Sequence, residues 1–141
     1  MLVPDLNVVI NAETRSSGNH ERARSWFDAV GNGAETVAIP EMVLLGFVRI
    51  TTGEGVKENR VDQRRAFEVC DSLRRMPAFG PISEGPRHWS IFREIVFSSG
   101  VSGKDITDAY LAAFAIENDA TFVTFDRGFR RFPGVRLEVL E

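Results

Sequence analysis

The sequence predicts an α/β fold in which a parallel sheet of about five strands is covered by helices on both faces. Short apolar segments alternate along the chain with longer amphipathic ones, and Gly and Pro mark the boundaries between them. Neither a repeat nor a linker interrupts this alternation. Strands that are joined through helices by right-handed crossovers form such a sheet. With 141 residues, the chain is expected to be one domain spanning residues 1–141.

Strands are predicted at short apolar runs and helices where apolar residues recur at intervals of three and four. In the second helical segment, Asn19 stands at the expected N-cap and Gly31 follows the last apolar residue. Trp26, Trp89 and most phenylalanines fall at helical spacing and are expected in the core. The strands are predicted at residues 2–5, 36–39, 78–82, 121–125 and 135–140. The helices are predicted from about residue 8, after residue 19 to residue 30, and at 41–51, 61–75, 87–98 and 105–118.

Composition narrows the possible functions. The net charge of −3 is not typical of a nucleic-acid-binding protein, but 15 of the 17 basic residues are Arg, which makes bidentate contacts with phosphate. A coding bias towards Arg explains the same count equally well. Cys70 is the only cysteine, so an intrachain disulfide and a Cys-based zinc site are excluded, and a buried, inert thiol is expected.

Targeting signals are not expected in this sequence. No apolar run reaches the roughly 18 residues that a membrane span needs. The first predicted strand begins at residue 2, which leaves no room for a signal peptide before it. A cytoplasmic protein without membrane contact is therefore expected.

Four acidic residues are expected to meet at one edge of the sheet. Asp5, Glu41 and Asp126 each follow the end of a predicted strand. Asp108 lies at the start of a helix, and the strand after this helix runs back in the opposite direction and ends just before Asp126. The N-terminus of the helix should therefore lie near the carboxyl end of that strand. In open parallel sheets, ligands bind beyond the carboxyl ends of the strands.

Such a cluster is unfavourable unless protonation or a counter-ion relieves its negative charge. Two carboxylates about 4 Å apart repel each other by about 4 kcal/mol at an effective dielectric constant of about 20. Oxygen ligands suit a hard divalent cation such as Mg²⁺, which keeps coordinated waters, and one of these can attack a phosphodiester. The sequence has no Ser/His/Asp grouping and no Walker-type loop. The acids therefore favour metal-assisted phosphoryl chemistry.

Each acid also has a purely structural explanation. Asp105 and Asp108 have the spacing of a capping box, with Asp105 as the N-cap. Glu41 in a first helical turn is favoured by the helix dipole, and Asp126 can open a turn. Asp5 is the hardest to explain structurally, because it ends an apolar strand at the expected centre of the sheet.

Four segments of the chain carry the motifs that matter here: residues 4–9, Glu41 with residues 46–50, residues 107–113 and residues 123–129. In this order they resemble the motifs of PIN-domain proteins, specifically the VapC toxins of type II toxin–antitoxin pairs. The resemblance covers nearly the whole chain. Asn7 stands where family members have a polar residue that holds the first acid or a water.

The resemblance implies a three-layer α/β/α sandwich, a homodimer and an endoribonuclease that depends on Mg²⁺ or Mn²⁺. It further implies a cognate VapB antitoxin whose C-terminal segment enters the active-site groove. Asp5, Glu41, Asp108 and Asp126 match the acidic quartet of the family, and Asp5 and Asp108 match its most frequent metal ligands. Asp105 is an additional acid, which is either a fifth ligand or a helix cap.

The sequence does not decide which residues contact the substrate or which of several functions the chain has. Arg127, Arg130 and Arg131 are candidates for holding an RNA backbone, with a solvated basic face as the alternative. Residues 53–59 form a candidate loop for substrate preference, but no pattern in them identifies the RNA target. Two alternative functions remain: a phosphatase-like phosphotransfer protein and a non-catalytic PIN-like interaction module. A phosphatase of the haloacid-dehalogenase type would have Asp at the position of Asn7.

Overall fold

The computed structural model describes residues 1–54 and 60–141. Within these ranges, the strands form one five-stranded parallel sheet in the order β3-β2-β1-β4-β5. The α/β class and the parallel sheet of about five strands are thereby confirmed. Most of the candidate specificity loop, residues 55–59, lies outside the described residues. The strands are β1 (Leu2–Pro4), β2 (Val37–Ala38), β3 (Phe79–Gly80), β4 (Thr121–Thr124) and β5 (Arg136–Val139).

The described helices match the predicted ones to within a few residues. The first helix begins at Leu6 rather than near Val8, because the Asp5 carboxylate accepts a hydrogen bond from the Leu6 backbone N–H. The last helix begins at Ile106, after a 3₁₀ turn at Gly103–Asp105. The helices are α1 (Leu6–Glu13), α2 (His20–Val30), α3 (Glu41–Thr51), α4 (Gln63–Arg74), α5 (His88–Ser99) and α6 (Ile106–Glu117).

The helices form two layers. α1 packs against α2 and α3, and α3 packs against α4, whereas α5 packs against α6. The chain passes from β1 outward to β2 and β3 and then returns across the sheet to β4. Since crossovers are right-handed, this reversal places α5 and α6 on the opposite face from α1 to α4. The direction changes between β1 and β4, which is therefore the topological switch point.

The core lies between the sheet and the two helical layers, and it confirms most of the predicted apolar faces. Trp26 is buried in α2, but Trp89 of α5 is 69% exposed, so its predicted place in the core is wrong. The preceding residue, His88, takes the buried position instead. Its Nε2 lies 3.0 Å from the Tyr110 carbonyl oxygen, and its ring packs against the rings of Tyr110 and Phe114.

Cys70 is buried in α4, as predicted, and burial raises the pKa of its thiol. A thiol with a raised pKa is a poor nucleophile. Across residues 1–54 and 60–141, no helix combines the length and the apolar character that crossing a bilayer requires.

A pair of phenylalanines fixes the segment that follows β4. The 3₁₀ turn Arg127–Arg131 carries Phe129, whose buried ring lies 4.6 Å, between centroids, from that of Phe122 in β4. This contact anchors the turn to the sheet.

The Phe129→Ala substitution should therefore lower the free energy of unfolding by about 3–5 kcal/mol, because it leaves a cavity beneath this turn. Denaturant unfolding of the purified chain measures this loss. The control is Phe97→Ala, since Phe97 is 71% exposed and its removal should cost less than about 1 kcal/mol. Equal losses in the two variants would contradict the anchoring role of Phe129.

Candidate metal centre

The site lies at the carboxyl ends of β1 and β4, where the strand order reverses. Pro4 is paired with Val123, and the Asp5 N–H donates to the Val123 carbonyl oxygen at 2.8 Å. This register places Asp5 beside Thr124, the last residue of β4, and Asp126 follows two residues later. The parallel pairing thus brings together residues that are about 120 positions apart in the chain.

Asp5 is a buried carboxylate with two hydrogen-bond donors. Only 6% of the residue is exposed. Its Oδ1 accepts from the Leu6 N–H at 2.7 Å, and its Oδ2 accepts from the Thr124 hydroxyl at 2.6 Å. The pKa of Asp5 is raised to about 6. Burial is the largest cause; the hydrogen bonds from Thr124 and Leu6 lower the pKa, and the charges of Asp108 and Asp126 raise it.

Thr124 connects the acids to each other. Besides donating to Asp5, its hydroxyl accepts from Asn7 Nδ2 at 3.0 Å and from the Asp126 N–H at 2.9 Å. One donor and two acceptors are all that a hydroxyl offers, so it is fully satisfied. Asn7 Oδ1 in turn accepts from the Phe125 N–H at 3.2 Å. Asn7 therefore acts on Asp5 through Thr124.

Sequence reasoning did not assign a role to Thr124, although it lies within the fourth matching segment. The sequence did contain a signal for Thr124: it is a polar residue that ends an apolar strand, two residues before Asp126. Its importance depends on the register between β1 and β4, which the sequence does not display.

Asp126 is held by the turn that it begins. Its Oδ1 accepts from the Gly128 N–H at 2.7 Å, so it caps the 3₁₀ turn. Asp126 therefore does open a turn, as its structural explanation predicts. Because the carboxylate is also close enough to Asp5 and Asp108 to raise the pKa of both, the structural and electrostatic roles coexist.

Asp108 lies in the first turn of α6, as predicted, and α6 packs against β1 and β4. Burial raises the pKa of Asp108, Arg131 lowers it, and Asp126 and Asp105 raise it. Asp105 precedes the helix, but its carboxylate makes no capping hydrogen bond. It lies instead 3.9 Å from Arg131 Nη2, so the predicted capping box does not form.

Glu41 begins α3 at the same edge of the sheet, but its side chain does not join the other acids. The carboxylate is 88% exposed, and its Oε1 lies 4.0 Å from Arg74 Nη1 of α4. Asp108 and Asp126 are the carboxylates that raise the Asp5 pKa. The structure therefore brings three of the four predicted acids within electrostatic range of one another and leaves Glu41 at the rim.

The donor chemistry of this site fits a hard divalent cation. The three acids offer carboxylate oxygens, and the oxygens of Asp5 keep a free lone pair beside the hydrogen bonds that orient them. In the part of the chain that the structure describes, however, no three acidic, His or Cys side chains are already arranged as a metal cage. Arg131 Nη2 lies 2.9 Å from Asp108 Oδ2 and supplies the positive charge there.

The other two candidate arginines lie on the exposed side of the same turn. Arg127 Nη2 pairs with Glu141 Oε1 at 2.6 Å, and Arg130 is exposed. Of the three, Arg131 is the one that reaches the acids.

Fold and site together define a parallel α/β protein with a carboxylate-lined site at its switch point. The chain belongs to the PIN domain family, whose sequence profile matches residues 2–135. This confirms the resemblance that the four segments indicated. Ribonucleases of this family generally depend on a divalent metal ion.

Several relatives match almost the whole chain. VapC ribonuclease Mb2897 of Mycobacterium bovis is 36% identical over 96% of this chain and 92% of its own length. Ribonuclease VapC25 of Mycobacterium tuberculosis is 33% identical over 96% of each chain. Among solved structures, VapBC2 from Rickettsia felis, bound to a promoter DNA fragment, superposes with a TM-score of 0.73 at 18% identity, covering 99% of this chain and 98% of that one. This likeness confirms the three-layer α/β/α fold.

The Thr124→Val substitution tests the hydroxyl at the centre of the site. It keeps the shape of the side chain but leaves Asp5, Asn7 and the Asp126 N–H without this partner, so the free energy of unfolding should fall by about 1–3 kcal/mol. Thr124→Ser retains the hydroxyl and should lose far less. The two variants are compared by urea unfolding, and equal losses would show that the methyl group, not the hydroxyl, matters.

The raised pKa of Asp5 predicts a pH dependence of stability for the metal-free chain. A carboxyl whose folded pKa is about 6, against an ordinary 3.8, stabilises the fold below about pH 4, and this contribution is lost as the pH rises through 6. The loss amounts to at most about 3 kcal/mol.

Asp5→Asn removes this titration. In EDTA the variant should be more stable than the wild type above pH 6, and the difference should shrink towards pH 4. Urea unfolding between pH 4 and pH 7.5 measures the effect. Parallel curves for the two proteins would contradict the assignment.

Proposed function

We propose that this chain is a divalent-metal-dependent endoribonuclease and acts as the toxin of a VapBC-type toxin–antitoxin pair. The observation that carries the proposal is the buried Asp5 carboxylate at the switch point, with Asp108 and Asp126 in electrostatic range. The names of the relatives support the same activity.

Asp5, Asp108 and Asp126 are the residues that would hold the ion. Bound Mg²⁺, or Mn²⁺ in its place, supplies positive charge for the phosphate oxygens and acidifies the attacking water. Thr124 and the Leu6 N–H fix the direction of the Asp5 oxygens, which limits the rearrangement that binding requires. Glu41 has an exposed carboxylate with one long ion pair, so it is free to turn towards the site at small cost.

RNA is the proposed substrate. Arg127 and Arg130 place exposed guanidinium groups within four residues of Asp126, where they can contact backbone phosphates next to the reacting bond. Such contacts position the strand and do not read its sequence. The RNA target and the cleavage motif are therefore not assigned.

A VapB-type antitoxin and a second copy of the chain are the proposed protein partners. The solved structures of VapBC2 from Rickettsia felis and of VapBC from Salmonella typhimurium, both bound to DNA, superpose on this chain with TM-scores of 0.73 and 0.71. The cytoplasm is the proposed location, because the proposed RNA substrate is found there.

Asp5→Asn and Asp108→Asn test the nuclease directly. Each removes one negative ligand, so cleavage of total RNA in Mg²⁺ should fall by at least about 100-fold, and EDTA should stop the wild type. Gel analysis of the RNA fragments measures the loss.

Asp119→Asn is the matched control. Asp119 has a φ of 50°, which Asn tolerates, and its carboxylate pairs with Arg136 at the opposite edge of the sheet. This variant should cleave like the wild type. Full activity of Asp5→Asn, or turnover of a small phosphate ester with RNA left intact, would refute the proposal.

A further inference from the structure

Arg131, at the end of the 3₁₀ turn, contacts two acidic residues and is less exposed than the other arginines in the described ion pairs. Its Nη2 donates to Asp108 Oδ2 at 2.9 Å and lies 3.9 Å from Asp105 Oδ1. Its side chain is 32% exposed, whereas the other arginines of the described ion pairs are 45% to 66% exposed. The guanidinium is therefore partly withdrawn from water and held against two acids.

The same guanidinium also approaches Asp126. A Cβ atom on Gly128 would lie 2.9 Å from Arg131 Nη1 and 2.8 Å from Asp126 Oδ1. Both groups therefore border the space that a Cβ atom on Gly128 would occupy. Arg131 consequently contacts Asp108 of α6 and lies near Asp126 at the end of β4.

An aromatic ring keeps Arg131 in place. Its guanidinium carbon lies 4.7 Å from the centroid of the buried Phe132 ring. A cation over an aromatic face is attracted by the ring quadrupole. The contact with the ring does not involve the N–H group that donates to Asp108. The guanidinium can therefore lose its hydrogen bond to Asp108 and still pack against the Phe132 ring.

We propose that Arg131 is a built-in counter-ion of the acidic site, which competes with the divalent ion for Asp108 and thereby sets the affinity of the site for metal. This inference rests on the proposed function, since it takes the acids as the metal ligands. Arg131 is a positioning residue in this role.

The competition follows from charge. A divalent ion bound to Asp108 would repel a guanidinium that donates to the same carboxylate, so the ion binds less tightly while Arg131 keeps this contact. Arg131 relieves the repulsion among Asp108, Asp126 and Asp105. Its positive charge therefore favours the close approach of these acids and lowers the affinity of the site for a metal ion.

Metal binding by the full-length, metal-free chain tests the proposal. Arg131→Gln keeps a hydrogen-bond donor but removes the charge, so it should bind Mn²⁺ more tightly, by on the order of tenfold. Arg131→Lys keeps the charge and should stay close to the wild type. Calorimetric titration with MnCl₂ measures the affinity, and circular dichroism checks the fold of each variant.

Arg136→Gln is the matched control. Arg136 also pairs with a carboxylate at 2.8 Å, that of Asp119, away from the site, so this variant should bind Mn²⁺ like the wild type. An unchanged or weaker affinity in Arg131→Gln would overturn the proposal.

A measurement on the wild-type protein tests the proposal without any variant that has to fold. In ¹⁵N NMR, the Arg131 side-chain Nε–H signal should shift on addition of MgCl₂, while that of Arg136 stays in place. An unmoved Arg131 signal at saturating Mg²⁺ would also overturn the proposal.

These outcomes separate the two proposals. Mn²⁺ binding by the wild type that is lost in Asp5→Asn supports the metal site of the proposed function, whatever Arg131→Gln does. Absence of binding in the wild type and in Arg131→Gln refutes both. Binding in the wild type with no change in Arg131→Gln refutes the counter-ion alone.

Discussion

The pairing of β1 with β4 is the constraint on which the site depends. It aligns Pro4 with Val123, and this register places Asp5 against the Thr124 hydroxyl. The two strands are adjacent because the chain leaves β1 in one direction and returns to the sheet on its other side. A one-residue slip would turn Thr124 to the other face of the sheet and remove the donor from Asp5.

A second constraint is the balance of charge at that point. Asp5 is buried among apolar strands, and its pKa of about 6 reflects the cost of keeping a negative charge there beside two further acids. Thr124 and the Leu6 N–H offset part of this cost at Asp5, and Arg131 offsets part of it at Asp108. The remaining negative potential is what a divalent cation would neutralise, so the repulsion among the acids favours metal binding.

The prediction that the acids meet at one edge of the sheet holds where backbone direction alone decides position. Asp5, Asp108 and Asp126 follow strand ends or begin a helix, and the geometry of a parallel sheet brings such positions to one edge. It failed where side-chain direction decides. Glu41 starts its helix at the expected edge, yet its carboxylate faces solvent near Arg74, and Asp105 pairs with Arg131 instead of capping α6.

The sequence by itself determined the α/β class, the order of the strands and helices to within a few residues, and the family, because apolar periodicity and short motifs are local properties. Only the tertiary structure decided that Thr124 orders Asp5, that His88 rather than Trp89 enters the core, and that Arg131 faces the acids. These features depend on register, helix rotation and side-chain contacts between segments that are distant in the chain. No local pattern encodes such relations.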